Sequence, residues 1–190
     1  MQKFSVAVVY VSFMLVLSLF LIGCGQGNKS SESAESNFAG NHGQAGVVDT
    51  DSKPNILQIA MGSPDHTTLV AGVKAAQLEN VLVNPGPLTV FAPTNAAFDK
   101  LPAGVLDDLL KPENKSKLAY TITSHAAPGT FYVGKDLKDG MKLYMATGHY
   151  LPVEVRDDGT YVNGIKIQAS IDASNGVVHV IDEVFLLEKK

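Results

Sequence analysis

Apolar positions are distributed along this chain in three regimes. Val6 to Ile22 is a 17-residue apolar run, Gly25 to Lys53 has no apolar periodicity, and from Pro54 the apolar residues recur first at helical and then at strand spacing. Ile56, Ile59 and Ala60 share one helical face, and Gly62-Ser63-Pro64 should stop that helix. Leu69, Val70, Val73 and Ala76 mark a second helix, for which Thr67 or Thr68 is the expected N-cap. Asn84-Pro85-Gly86-Pro87 predicts a loop and Leu88 to Ala92 a short buried strand. Pro93-Thr94-Asn95 should end that strand and cap a helix carrying Ala96, Ala97, Phe98 and Leu101. Two further helices are expected, one with Leu106, Leu109 and Leu110 that stops at Lys111-Pro112, the other over Leu118 to Thr123.

From Pro128 the period shifts towards two. Leu151, Val153 and Val155 alternate with Pro152, Glu154 and Arg156 before Asp157-Asp158-Gly159 turns the chain. Tyr161-Val162 and Ile165 to Ile167 flank Asn163-Gly164, a hairpin dipeptide because both residues accept positive φ. Asn175-Gly176 precedes what should be the longest strand, Val177 to Leu187. Helices followed by a run of hairpin strands predict an α+β fold, and with no internal repeat residues 54–190 form one domain, expected to be monomeric.

The N-terminal run follows Lys3 and closes on Leu21-Ile22-Gly23-Cys24, a cationic start and apolar stretch that predict a secretory signal peptide over residues 1–23. Seventeen apolar residues lie at the short end of what spans a bilayer, which favours a cleaved signal over a transmembrane helix. The tetrad resembles the lipobox of bacterial lipoproteins. That resemblance implies cleavage between Gly23 and Cys24 and acylation of Cys24, palmitate being a typical chain, with two or more chains giving a stable membrane anchor. Gly25 is not the aspartate linked to inner-membrane retention, so the expected location is the cell envelope, at the outer membrane or cell surface.

Composition narrows the partners. Fifteen basic residues oppose 19 acidic ones, and removing residues 1–23 takes away Lys3 and no acid, so the net charge goes from -4 to -5. No basic stripe is present to bind a phosphate backbone, so nucleic acid is not an expected partner. Cys24 is the single cysteine; once acylated, it leaves no thiol for a disulfide or metal site. Residues 24–53, rich in Gly, Ser and Asn, should be a flexible tether with a root-mean-square reach of roughly 30 Å.

Two segments carry a more specific signal: Leu88-Thr89-Val90-Phe91-Ala92-Pro93-Thr94-Asn95-Ala96-Ala97-Phe98, and Asn175-Gly176-Val177-Val178-His179-Val180-Ile181-Asp182-Glu183-Val184-Phe185-Leu186. Together they resemble the two signature segments of the fasciclin domain. Between them Ile122-Thr123-Ser124-His125-Ala126-Ala127-Pro128-Gly129 is similar to that family's central histidine followed by a Pro-Gly turn. The resemblance implies a wedge of two β-sheets, about seven strands, packed against several helices, with Thr89, Phe91, Pro93, Thr94, Asn95, Phe98, His125, Asn175, Gly176, His179 and Asp182 as signature positions. It implies a structural role for His125 and His179. Strand parity independently groups His179 with Val177 and Ile181, opposite Val178 and Val180, so the imidazole should be buried and need a partner. Ser124 stands where animal members associated with integrin binding carry tyrosine, so that activity does not transfer.

Catalytic and metal chemistry find little support in the spacing. Ser124 and His125 are adjacent, Ser174, His179 and Asp182 offer the remaining triad members, and no Gly-x-Ser-x-Gly turn presents a nucleophile. His66, His125, His149 and His179 include no His-x-His or His-Glu-x-x-His pair, and His66 and His149 are expected to be exposed. No glycine-rich phosphate loop opens a helix, and Asn114-Lys115-Ser116 matches a glycosylation sequon that the resemblance to a bacterial lipobox implies is chance. The expectation is a non-catalytic adhesion or interaction module without cofactor or metal, meeting an envelope or extracellular protein or polysaccharide. The alternative is a periplasmic ligand-binding or sensory subunit of a membrane complex. An exposed apolar patch would favour the first, a pocket with convergent polar groups the second, and a serine within hydrogen-bond reach of a histidine an enzyme.

Overall fold

The computed structural model describes residues 53–187; the predicted signal peptide, Cys24 and residues 24–52 of the tether lie outside the described residues. Asn55 caps α1 (Ile56–Gly62): its Oδ1 accepts from the Gln58 N–H while the Gln58 side chain accepts from the Asn55 N–H. Extended backbone at Ser63 ends α1, and a 3-10 turn, Pro64–His66, leads into α2 (Thr67–Ala76). Thr67 and Thr68 lie inside α2 rather than capping it, and the Thr68 N–H finds its acceptor on a distant residue. After α3 (Glu79–Val83) come β1 (Leu88–Pro93), α4 (Asn95–Asp99), α5 (Val105–Leu109) and α6 (Lys115–Thr123). Leu110 falls outside α5 and is exposed.

Seven strands follow the order β2-β1-β7-β6-β5-β4-β3, where β2 is Ala126–Pro128, β3 Lys142–Tyr144, β4 Tyr150–Arg156, β5 Gly159–Val162, β6 Ile165–Ala173 and β7 Gly176–Ile181. Only β1 and β7 run parallel; the other pairs are antiparallel. A register shift between Ile167 and Ala169 divides the sheet into two lobes, and the Ala146 N–H donating to the Ala126 carbonyl at 2.8 Å nearly closes it. The result is the predicted α+β wedge. Asn163 at φ 53° and Gly164 at φ 78° make the expected hairpin between β5 and β6.

Two expected strands differ. The segment from Val177 stops pairing at Ile181, where Asp182-Glu183 bends the chain, and the longest strand is β6, with nine residues. Phe185 still packs into the core, so apolarity beyond Ile181 reports burial rather than pairing. On β4, Leu151 and Val153 are buried but Val155 is exposed, because the β4–β5 hairpin projects past the core.

The core has two main layers. Phe91, Leu143, Val153, Val162, Ile181 and Phe185 fill the wedge, while Ile56, Leu69, Val73, Val90 and Val178 fill the space between sheet and helices. Alternate side chains of β1 and β7 serve opposite layers, so both strands are buried on both faces, as a parallel pair requires.

Candidate functional site

The two signature segments lie side by side. Leu88 pairs with Gly176, and the register runs without a break to Pro93 with Ile181. A Cβ on Gly176 would stand 1.8 Å from the Leu88 carbonyl oxygen, so glycine is required by the approach of the two strands. Asn175, 8% exposed, joins three elements: its Oδ1 accepts from the Ile56 N–H at 3.0 Å, and its Nδ2 donates to the Leu82 and Asn84 carbonyls at 2.8 and 3.0 Å. Thr89 donates to the Gly129 carbonyl and accepts from the Phe131 N–H, fixing the segment after β2.

Both signature histidines are buried and oriented at both nitrogens. His125 Nδ1–H donates to the Thr121 carbonyl at 2.8 Å, Nε2 accepts from the Phe185 N–H at 2.8 Å, and the ring stacks on Phe185 with centroids 4.9 Å apart. This fixes the neutral tautomer, and burial lowers its pKa from 6.5 to about 4. His179 Nε2–H donates to the Phe131 carbonyl at 2.8 Å, leaving Nδ1 to accept from Ser170 Oγ at 2.8 Å; burial pushes this pKa down as well. Phe91 packs beside the His179 and Phe185 rings, at 5.4 and 5.6 Å.

Two serines therefore stand near the signature histidines, with different chemistry. Ser124 Oγ lies 3.5 Å from His125 Nδ1, but that nitrogen carries its own proton and the hydroxyl donates to the Thr121 carbonyl at 2.6 Å. Ser170 does donate to an unprotonated nitrogen. Its partner is a histidine of depressed pKa whose far nitrogen meets a carbonyl, which lacks the charge that a triad carboxylate offers an imidazolium. Ser170 and His179 face each other as direct cross-strand partners, an arrangement that closes a buried histidine's hydrogen bonds. Ser174 Oγ is not part of either arrangement. Among the described residues no three His, Cys, Asp or Glu side chains gather as metal ligands.

Thr94 and Asn95 divide the capping work. Thr94 Oγ1 accepts from the Ala97 N–H and caps α4, whereas Asn95 Oδ1 accepts from Thr68 N–H at 2.9 Å and from Thr67 Oγ1, and its Nδ2 donates to the Pro64 carbonyl. Pro93 ends β1 beside Ile181, Phe98 is half-buried against the helix-side core, and Asp182 makes an exposed ion pair with Lys100 at 3.2 Å. His66 is 5% exposed, contrary to the expected loop position, because the turn held by Asn95 carries it inward, where Nδ1 meets Ser63 Oγ at 2.8 Å. His149 is half-buried in its loop, with Nδ1 3.3 Å from both Tyr120 Oη and Thr147 Oγ1.

Thr89, Asn175 and both signature histidines thus face inward, whereas Asp182 and Asn95 lie at the surface, and exposed aromatic chemistry lies on the β3–β6 lobe. Tyr144 and Tyr150 are register partners, 47% and 62% exposed, with ring centroids 5.2 Å apart. Farther along the lobe the Arg156 guanidinium sits 4.1 Å over the Tyr161 ring and bonds Glu154, while Asp158 takes the Tyr161 hydroxyl and Lys166. Those two donors hold the Asp158 carboxyl below its ordinary pKa. Sequence reasoning missed the tyrosine pair because the hairpin bringing residue 144 against 150 carries no Asn-Gly signal. It also missed the Asn55-x-x-Gln58 box, which was readable.

Comparison with known proteins agrees with this geometry. The family model described as Fasciclin domain matches residues 64–187. Protein sll1483 of Synechocystis sp. is 47% identical over 138 residues, covering 72% of this chain and 76% of that protein. Immunogenic protein MPB70 of Mycobacterium bovis is 31% identical, covering 76% of this chain and 74% of that one. Human periostin is 28% identical over 76% of this chain, a match that spans 18% of periostin. A solved FAS1 domain pair from the insect cell adhesion molecule fasciclin I matches in fold, with a TM-score of 0.61 at 19% identity over 71% of this chain and 51% of that one.

Proposed function

The chain belongs to the fasciclin-domain family, and on that premise we propose that it is a lipid-anchored envelope protein presenting this domain as a non-catalytic adhesion module. In this reading the signal peptide, residues 1–23, is removed between Gly23 and Cys24. Cys24 carries the acyl chains, and residues 24–53 hold the domain away from the lipid surface, at the outer membrane or cell surface. The partner is an envelope or extracellular macromolecule, protein or polysaccharide, met by the exposed lobe that carries Tyr144 and Tyr150. No helix of the described residues is long and apolar enough to cross a membrane.

One observation carries the reading: Thr89, His125, Asn175 and His179, the buried polar signature groups, are consumed inside the fold, so the domain offers its surroundings a surface rather than a reaction centre. Exposed tyrosines give large, rigid contact area with a polar tip at small entropic cost, which suits recognition. Affinity per domain is modest and many anchored copies raise it through avidity.

The test displays the full chain on lipid vesicles and measures binding to arrays of matrix proteins and polysaccharides. Saturable binding that falls about tenfold or more in Tyr144→Ala/Tyr150→Ala, with the unfolding midpoint unchanged, is expected. Absence of binding at any vesicle density would reject the module.

A further inference from the structure

A cavity of about 80 Å³ lies in the layer between sheet and helices. Its walls are aliphatic side chains of α1, α2 and α3, such as Ile56, Val73 and Leu82, and its floor is Val90, Ala92 and Val178. Thr123 and His125 are the polar residues in the lining, and neither has a hydrogen bond to give. Thr123 Oγ1 donates to the Ala119 carbonyl at 2.7 Å, and both His125 nitrogens are occupied by the Thr121 carbonyl and the Phe185 N–H.

Water in such a space lacks the two to four polar partners it needs, so the cavity is dry, and a dry cavity is filled favourably by an apolar group. At about 30 Å³ per water-sized group the space takes roughly three such groups, fewer than the ~150 Å³ cavity that accommodates benzene. The lining reaches the surface at Val81 on α3, which is 49% exposed.

We propose that this cavity is a binding site for a short alkyl group, entering past Val81, either as a small free molecule or as the end of an amphiphile's chain with its head left in solvent. The absence of convergent polar groups makes it a site for apolar rather than polar ligands, which separates it from the pocket a sensor of polar metabolites requires. Ala146 of the β3–β4 loop touches it, but neither Tyr144 nor Tyr150 is in its lining, so the adhesion reading stands or falls separately.

The test uses the full chain, methyl-labelled on Ile, Leu and Val, in a fluorinated surfactant whose chains mix poorly with hydrocarbon. Xenon probes the cavity, and octanoate probes entry of a chain end. Saturable methyl shifts at Val73, Leu82 and Val90 under xenon are expected, with Leu143 and Val153 in the wedge unmoved. If the occupant is a chain end, octanoate produces the same shifts; if it is a small free molecule, xenon alone does. Either ligand that produces the shifts, at about ten times its Kd, should raise the unfolding midpoint by roughly 5 °C. Ala60→Leu, which fills the space from α1, should abolish the response, and Ala92→Val does the same from the floor where Ala60→Leu does not fold. No saturable shift with either probe, or an equal response in the filled variant, would overturn the proposal.

Discussion

Acid should destabilise this domain through His125 in a way that can be worked from the structure. The unfolded chain charges this ring near pH 6.5, but the folded chain only near 4, because burial disfavours the cation and the Phe185 N–H occupies the nitrogen that would take the proton. The folded pKa is depressed, so the stabilisation is complete above pH 6.5 and is lost as pH falls towards 4. At 1.36 kcal/mol per unit the full loss is about 3 kcal/mol, of which about 2 kcal/mol falls between pH 7 and pH 5. His179 and His66, both depressed by burial, add in the same direction. The assay is urea unfolding at pH 7, 6 and 5, for wild type and for His125→Phe, which keeps an aromatic ring against Phe185 but cannot titrate. Wild type should lose stability more steeply than the variant, by up to about 1.4 kcal/mol per pH unit. Parallel slopes, or an imidazole NMR titration placing His125 above pH 6 in the folded chain, would falsify the burial argument.

Other substitutions test the remaining joints. Gly176→Ala forces a methyl into the Leu88 carbonyl and should cost about 4 kcal/mol or more, read as loss of cooperative unfolding or of soluble protein. Asn175→Ala removes three hydrogen bonds, two of them buried, and should cost roughly 3 kcal/mol by urea unfolding, a value under about 1 kcal/mol counting against its joining role. Asn95→Ala strips the cap of α2 rather than of its own helix; a loss of about 1 to 2 kcal/mol is expected, with hydrogen exchange rising first at Thr67 and Thr68.

Much of the architecture could be read from local pattern. The helical and strand periods, the Asn163-Gly164 hairpin and the burial of His179 all rest on rules that act within a few residues, and each is seen in the fold. What escaped is long-range. Nothing near Leu88 announces that it lies against Gly176, since parallel pairing leaves no turn to read. The cap of α2 comes from Asn95, 27 residues away from Thr68, so a search for a local N-cap selected the threonines instead. His66 looked like a loop residue because its burial depends on that same contact. Apolar residues after Ile181 suggested a longer strand, although Phe185 fills the wedge without a strand partner. The tyrosine pair depends on β3 and β4 meeting across a loop, and so was not visible before the fold.

The proposal that an anchored, non-catalytic domain makes contact through its exposed lobe is put at risk by measuring adhesion of cells that display the protein. Cells lacking the protein, cells with wild type, and cells with Cys24→Ser or Tyr144→Ala/Tyr150→Ala are compared under flow on protein and polysaccharide surfaces, with ester, peptide and glycoside turnover followed in parallel. Wild type should adhere above the null strain, Cys24→Ser should leave the membrane fraction and lose adhesion, and the tyrosine variant should stay anchored but adhere about tenfold less. Adhesion no greater than in the null strain, together with turnover abolished by Ser170→Ala or His179→Ala, would contradict it.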